Sequence, residues 1–319
     1  MNDADWGHEV HAGARRGGSR HGPHIHSGAD ERYLRRALAL IVGFMLLEVA
    51  VAFAAGSLVL LADAGHMLTD AAAVLAAIVA ARLAARPPQG AWTFGFKRAE
   101  ILSAAGNGVT LLVIAVVIAI EAARRIAHPP PVAGLPVLAV ALAGIAVNLL
   151  ATSALARANR SSLNVEGAFQ HVLTDLYGFI ATAIAGAVVY TFGWRLADPV
   201  ASLVVIALML RASWSLLYDA GRVLLQAAPA EVDVGDVRLH MLQLRHVQDV
   251  HDLHVWMVTS GLPVLSAHVV VDDDCLSDGR TAQLLDRLQD CLVGHFDVEH
   301  STLQIEPASH AGHEAGAHL

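Results

Sequence analysis

The chain has 319 residues, of which 55% are hydrophobic and only 16% charged, and its formal net charge is −8. A soluble domain carries about 25% charge, and the shortfall is concentrated, because residues 33–225 are almost wholly apolar while both flanks are polar. The acidic balance comes mostly from the C-terminal third and speaks against a nucleic-acid surface, and the only cysteines, Cys275 and Cys291, lack the CxxC spacing of a thiolate zinc site or a disulfide framework.

Residues 1–31 are rich in Gly, Arg and His, including His8, His11, His21, His24 and His26, with no apolar period, and are expected to form a disordered tail. No cleavable signal peptide is visible, since the first apolar run follows Arg32, Arg35 and Arg36 and is long enough to span a bilayer. Across 32–225 six apolar segments follow, at about 33–55, 58–85, 99–126, 135–156, 163–192 and 200–217. Each reaches or nears the ~20 residues a spanning helix needs. Pro and Gly clusters at 87–90 and 129–134 separate neighbours, as does the short turn at 54–57.

Arg32, Arg35, Arg36, Arg82, Arg86, Lys97, Arg98, Arg157 and Arg160 fall on one side of these segments, and Arg124, Arg125 and Arg195 on the other. That asymmetry places both termini in the cytoplasm. From 226 to 307 the pattern becomes that of a water-facing domain. A helix is expected at 232–247, strands at 252–258 and 264–271 with a hairpin turn at 261–263, a helix at 278–292 and a strand at 298–305. This αββαβ order makes a small α+β layer domain. Residues 308–319 form a second His-containing tail with His310, His313 and His318.

Ionisable groups deep in a membrane segment are costly and mark function. The second segment carries His66-Met67-Leu68-Thr69-Asp70 and the fifth His171-Val172-Leu173-Thr174-Asp175, both reading HxLTD. An i, i+4 spacing puts His and Asp on one helix face. Two such faces opposed offer two imidazoles and two carboxylates, a nitrogen and oxygen set that suits tetrahedral Zn2+. A single membrane His is often a packing hydrogen bonder, but the same pentapeptide in two spans is hard to explain that way. Because bound metal needs neutral imidazole, protons and metal compete, with His171 and His66 as proton carriers. Asp63, one turn before His66, either supports this site from outside the ligand sphere or serves as an outer entry carboxylate, and Glu48, Asn107 and Asn148 either face the ion path or make packing hydrogen bonds.

On these residues the chain resembles the cation diffusion facilitator family, in particular its bacterial zinc exporters, over about 32–307. The resemblance rests on 57–70 (SLVLLADAGHMLTD), 93–102 (TFGFKRAEIL), 167–175 (GAFQHVLTD) and 251–268 (HDLHVWMVTSGLPVLSAH). It implies a homodimer of six-helix membrane bundles, each with a cytosolic ferredoxin-like domain. It implies transport ligands at His66, Asp70, His171 and Asp175, in the zinc-selective pattern, and further zinc in the cytosolic domain at His251, His268 and Glu306, with His300 a looser match. Some relatives bind metal through histidines in the loop after the second span. Trp92 and Phe96 stand there instead, so that site is not expected.

The reading is therefore a proton-coupled Zn2+ efflux antiporter of the inner (plasma) membrane, not an enzyme, alternating its access around a His2Asp2 site. Its partners are Zn2+, with Cd2+, Co2+ or Ni2+ as further cargo, together with protons, lipid and a second copy. The rivals are a membrane-anchored zinc sensor, for which six spans with two buried charged pairs are excessive, and an intramembrane metalloenzyme, which needs an open metal position and a nearby base.

Overall fold

The computed structural model describes residues 27–55, 58–127, 134–194, 196–277 and 279–311, and within these the side chains of 27–29, 52, 54, 55, 58–66, 125, 134–137, 198, 277 and 311 fall outside the description. Most of the expected tails, at 1–26 and 312–319, also lie outside it.

All six apolar segments are helices: α1 (Ser27–Ala55), α2 (Leu58–Ala84), α3 (Ala99–Ala127), α4 (Gly134–Leu155), α5 (Leu163–Phe192) and α6 (Ala197–Leu224). A bilayer offers no water to backbone amides, so spanning segments close their hydrogen bonds internally. Among the described residues, five stretches are long and apolar enough to cross, at Met67–Ala84, Ala99–Arg124, Leu138–Leu155, Leu163–Phe192 and Pro199–Leu224. The run 37–55 of α1, interrupted only by Glu48, is the sixth. α1 starts inside the stretch expected as tail because its first turn is polar, with Asp30 favouring the helix N-terminus.

The helices pack in two groups. Leu34, Ile41 and Phe44 of α1, Met67, Val74 and Ile78 of α2, Leu155 of α4 and Phe169 and Val172 of α5 share one core. Leu111 and Ala115 of α3 pack with Val205, Met209 and Leu216 of α6 in another, and the Ser213 hydroxyl donates to Gly108 O at 2.8 Å across that pair. Small residues let membrane helices approach closely. At Gly144 of α4 the approach is closest, since a Cβ there would overlap the Phe179 ring of α5.

The C-terminal part runs α7 (Val234–Leu242), β1 (Val247–Thr259), β2 (Leu262–Val271), α8 (Asp273–Ser277), α9 (Thr281–Phe296), β3 (His300–Pro307) and α10 (Ala308–Ala311). The sheet order is β1-β2-β3, with β1 and β2 antiparallel and β2 and β3 parallel. This is the expected αββαβ domain, with Val237, Met241, Leu265, Val269, Leu284, Leu288 and Leu292 in one core between helices and sheet.

Boundaries differ for physical reasons. α7 begins after Asp233, whose carboxylate accepts from Gly235 N–H at 2.7 Å, and it stops five residues short of the expected end because β1 already begins at Val247. The hairpin turn is Ser260-Gly261, with Gly261 at φ 73, and Pro263 belongs to β2. Proline is tolerated in this central strand because β3 pairs only from Val264 onward.

The two parts meet at the β1–β2 hairpin. Met257 packs against Ile101, Ala220 and Val223. The Thr259 hydroxyl donates to Glu100 Oε2 at 3.4 Å, and the Leu163 N–H, the first of α5, donates to Ser260 Oγ at 3.1 Å. The N-cap residue of α5, Ser162, makes no side-chain cap itself.

A second fastening closes the far end of the β1–β2 pair. His246 Nδ1 lies 2.8 Å from Asp272 Oδ2, and the Asp272 N–H donates to His246 O at 3.1 Å. The His246 hydrogen bond, then that from Cys275 N–H, holds the Asp272 carboxyl below its usual range. A lowered folded-state value stabilises above the unfolded value, and that stabilisation is lost as pH falls through the folded one. Hydrogen exchange of β1 and β2 amides in the full-length protein should accelerate as pH drops below roughly 4, after correction for intrinsic exchange, and Asp272→Asn should flatten that dependence. An unchanged acid profile in Asp272→Asn would remove this fastening from the account.

Candidate metal centres

The matched motifs place their carboxylates and imidazole as the i, i+4 spacing demands. Asp70 of α2 and His171 of α5 are 4% and 0% exposed. His171 Nε2 lies 3.0 Å from Asp70 Oδ1 across the helix pair and 4.0 Å from Asp175 Oδ2 one turn along its own helix. One ligand atom from each of the three lies within 4.8 Å of the others. His171 Nδ1 is buried with no hydrogen-bond partner among the described residues. His66 and Asp63 lie in α2, but their side chains fall outside the described residues.

The donor set of this cluster is compatible with a metal ion. Two carboxylates in a low-dielectric setting repel each other unless a proton or cation lies between them. A cavity of about 190 Å³ reaches Asp175 and Thr174 and runs past Gly178 toward Thr182 on α5, with Ser202 of α6 and Ile118 of α3 on its walls. It extends toward the Phe192 end of α5 and does not touch His171.

Local contacts fix α5 on the other side of the cluster. Asn164 donates to Ala77 O of α2 at 2.7 Å. Arg160 pairs with Glu166 at 2.8 Å and stacks over the Phe169 ring at 3.9 Å. Asn107, 4% exposed, packs against Gly167, one turn before His171, and its Nδ2 has no partner among the described residues. Asn148 Nδ2 donates within its own helix to Gly144 O at 3.2 Å, and Glu48 is buried on α1.

The second cluster draws on all three strands. His251 of β1 and His268 of β2 are register partners, with ring centres 5.2 Å apart. Glu306 of β3 places Oε1 2.7 Å from His251 Nε2 and Oε2 3.8 Å from His268 Nδ1. Burial pushes the Glu306 carboxyl up, but hydrogen bonds from His251 and Gln304 outweigh it and hold the group below the usual carboxylate range. It is thus kept anionic beside two imidazoles.

His300 does not join this cluster. It packs edge-on against Phe94 of the α2–α3 loop at 5.9 Å. Glu306 lies six positions further along the strand, about 20 Å of chain at 3.3 Å per residue, so both cannot serve one ion. Trp92 and Phe96 stack on each other at 4.9 Å in the same loop. Asp252, which the sequence reading missed, lies 3.9 Å from His268 Nε2 through Oδ2 and 3.1 Å from His254 Nε2 through Oδ1. Strict alternation would turn it away from His251, but a bulge between His251 and His254, with Asp252 at φ 48, re-aims it. The HDLH run was the only available signal, and it does not announce a bulge.

Against known proteins, residues 34–225 match the family described as cation efflux transmembrane domain, and residues 229–308 match the cation efflux protein, cytoplasmic domain. The chain is 40% identical over 285 residues to zinc transporter ZitB of Escherichia coli (strain K12), covering 89% of this chain and 90% of that one. It is 36% identical over 290 residues to the cadmium, cobalt and zinc/H(+)-K(+) antiporter of Bacillus subtilis (strain 168), covering 90% and 93%. It is 37% identical over 297 residues to the metal cation efflux system protein CzcD of Cupriavidus metallidurans (strain ATCC 43123 / DSM 2839 / NBRC 102507 / CH34), covering 93% of each.

Gln304 Nε2 donates to Glu306 Oε2 at 3.2 Å and so orients the carboxylate without belonging to the cluster. Removing such a supporting partner costs about 10–100-fold in metal affinity. Gln304→Ala should weaken Zn2+ binding at His251, His268 and Glu306 by that factor in a calorimetric titration of the full-length protein. Unchanged affinity would mean that Gln304 does not orient Glu306 as a metal ligand.

Proposed function

This chain belongs to the cation efflux family, and from that premise we propose that it exports Zn2+ from the cytoplasm in exchange for protons, with Cd2+, Co2+ or Ni2+ as further cargo. The observation that carries the reading is the convergence of Asp70, His171 and Asp175 on one point between α2 and α5. His66, one turn before Asp70, is the proposed fourth ligand. Nitrogen and oxygen donors with two negative charges suit a borderline divalent cation.

The exchange follows from competition. A metal ion requires neutral imidazole and ionised carboxylate, so its arrival expels protons and their return weakens its hold. Imidazole, at about 6.5 in its unperturbed form, is the group best placed to make that competition operate near neutral pH. The cavity at Asp175 leads from the site toward the Phe192 end of α5. With both termini cytoplasmic, as the Lys/Arg asymmetry supports, α5 runs outward from Leu163 to Phe192 and this cavity faces away from the cytoplasm. Transport then alternates between this opening and one toward the cytoplasm.

We assign the cytosolic cluster of His251, His268 and Glu306 a regulatory role, and the whole protein a homodimeric state in the inner (plasma) membrane. The reading is tested by metal flux in proteoliposomes with an imposed pH gradient, across Zn2+, Cd2+, Co2+ and Ni2+. Asp175→Ala or His171→Ala should reduce zinc flux to that of empty liposomes while the protein remains folded by circular dichroism. Normal flux in either would overturn the assignment. His251→Ala should diminish zinc-dependent stabilisation of the cytosolic domain more than it diminishes maximal flux, and equal loss of both would count against a regulatory role.

A further inference from the structure

A second pair of imidazoles lies on the helical face of the cytosolic domain, away from both clusters. His240 sits in the last turn of α7 and His295 in the last turn of α9. The two helices pack side by side, held by Val237 and Met241 on α7 and by Leu288 and Leu292 on α9, all fully buried or nearly so. The ring centres lie 5.2 Å apart with their planes tilted by 42°. The Phe296 edge meets the His240 ring at 5.2 Å and steadies it.

Each ring has its proton position fixed. His240 Nδ1 lies 2.9 Å from Asp236 O, and His295 Nδ1 lies 3.1 Å from Cys291 O, each one turn back on its own helix. A carbonyl oxygen only accepts, so each Nδ1 carries the hydrogen and each neutral ring presents its lone pair at Nε2. This is the arrangement that orients metal-bound imidazoles generally, with the far nitrogen donating to a carbonyl. Among the described residues, no hydrogen bond or ion pair reaches either Nε2.

The separation matches what one ion requires. A zinc–nitrogen bond of about 2.1 Å puts the ring centre about 3.2 Å from the metal, so two imidazoles at a tetrahedral angle have centres about 5 Å apart. The His251 and His268 rings are spaced by the same 5.2 Å. We propose that His240 and His295 form a two-imidazole site for a divalent cation of the Zn2+, Ni2+, Co2+ or Cu2+ class, bridging α7 and α9 and completed by water. Only two protein ligands hold the ion, so its affinity is below that of the three-residue clusters. The site stands independently of whether the membrane cluster moves ions.

The test is residue-resolved diethylpyrocarbonate labelling of the full-length protein in detergent, with and without Zn2+ and read by mass spectrometry. Only the unoccupied fraction reacts, so at Zn2+ about ten times its dissociation constant both His240 and His295 should label about tenfold more slowly. In His240→Gln the protection of His295 should vanish, and in His295→Gln that of His240, while His251 and His268 label as in the wild type and so report an intact domain. If neither histidine is protected in the wild type, or if His295 stays protected in His240→Gln, the shared site does not exist.

Discussion

Asp70 and His171 meet at 3.0 Å between α2 and α5, both buried, with Asp175 one turn away at the edge of a cavity. Placing two carboxylates there has an energetic cost that apolar packing cannot recover. The surrounding structure reads as the support for that placement. The shared core of α1, α2, α4 and α5 sets the distance between the two motif-bearing helices, while the α3–α6 pair forms a separate wall along which the cavity runs. Asn164, reaching Ala77 O, ties α5 to α2 within the same contact.

Much of this was readable in the chain. Two HxLTD pentapeptides, each inside a long apolar run, carry their own geometry, because a helix puts i and i+4 on one face whatever surrounds it. The six spans were equally legible, since a bilayer imposes their length. Alternation and turn chemistry likewise gave the αββαβ order. Where reading failed, the cause was a departure from local periodicity. The bulge at Asp252 turns a residue back toward the face it should have left, and β2–β3 pairing starts late enough to absorb Pro263 into a strand. His300 fell away from its expected neighbours because strand length, invisible in a motif match, carries it to the opposite end of β3. The His240–His295 pair was invisible for a related reason, as no sequence spacing links the ends of two helices separated by two strands.

The sheet explains why three ligands from distant parts of the chain converge. Antiparallel pairing brings His251 opposite His268, and parallel pairing runs β3 alongside β2 so that Glu306 arrives two residues further on, opposite Val270. A parallel neighbour needs a crossover, which α9 supplies while also covering the sheet. The same helix therefore closes the hydrophobic core, sets the register of the acidic ligand and presents His295 on its outer side.

The hydrogen bond from Leu163 N–H to Ser260 Oγ joins a helix of the membrane half to a hydroxyl of the other half. A side-chain oxygen at a helix start is worth about 0.5–2 kcal/mol, and here it belongs to a different body from the helix it completes. Drawing the hairpin tip away from the bilayer would leave the opening turn of α5 free to fray, two turns from His171. The opening turn of that helix is therefore firmer for the docking of its neighbour, and a deletion removing the hairpin would soften the membrane segment as well as shorten the protein.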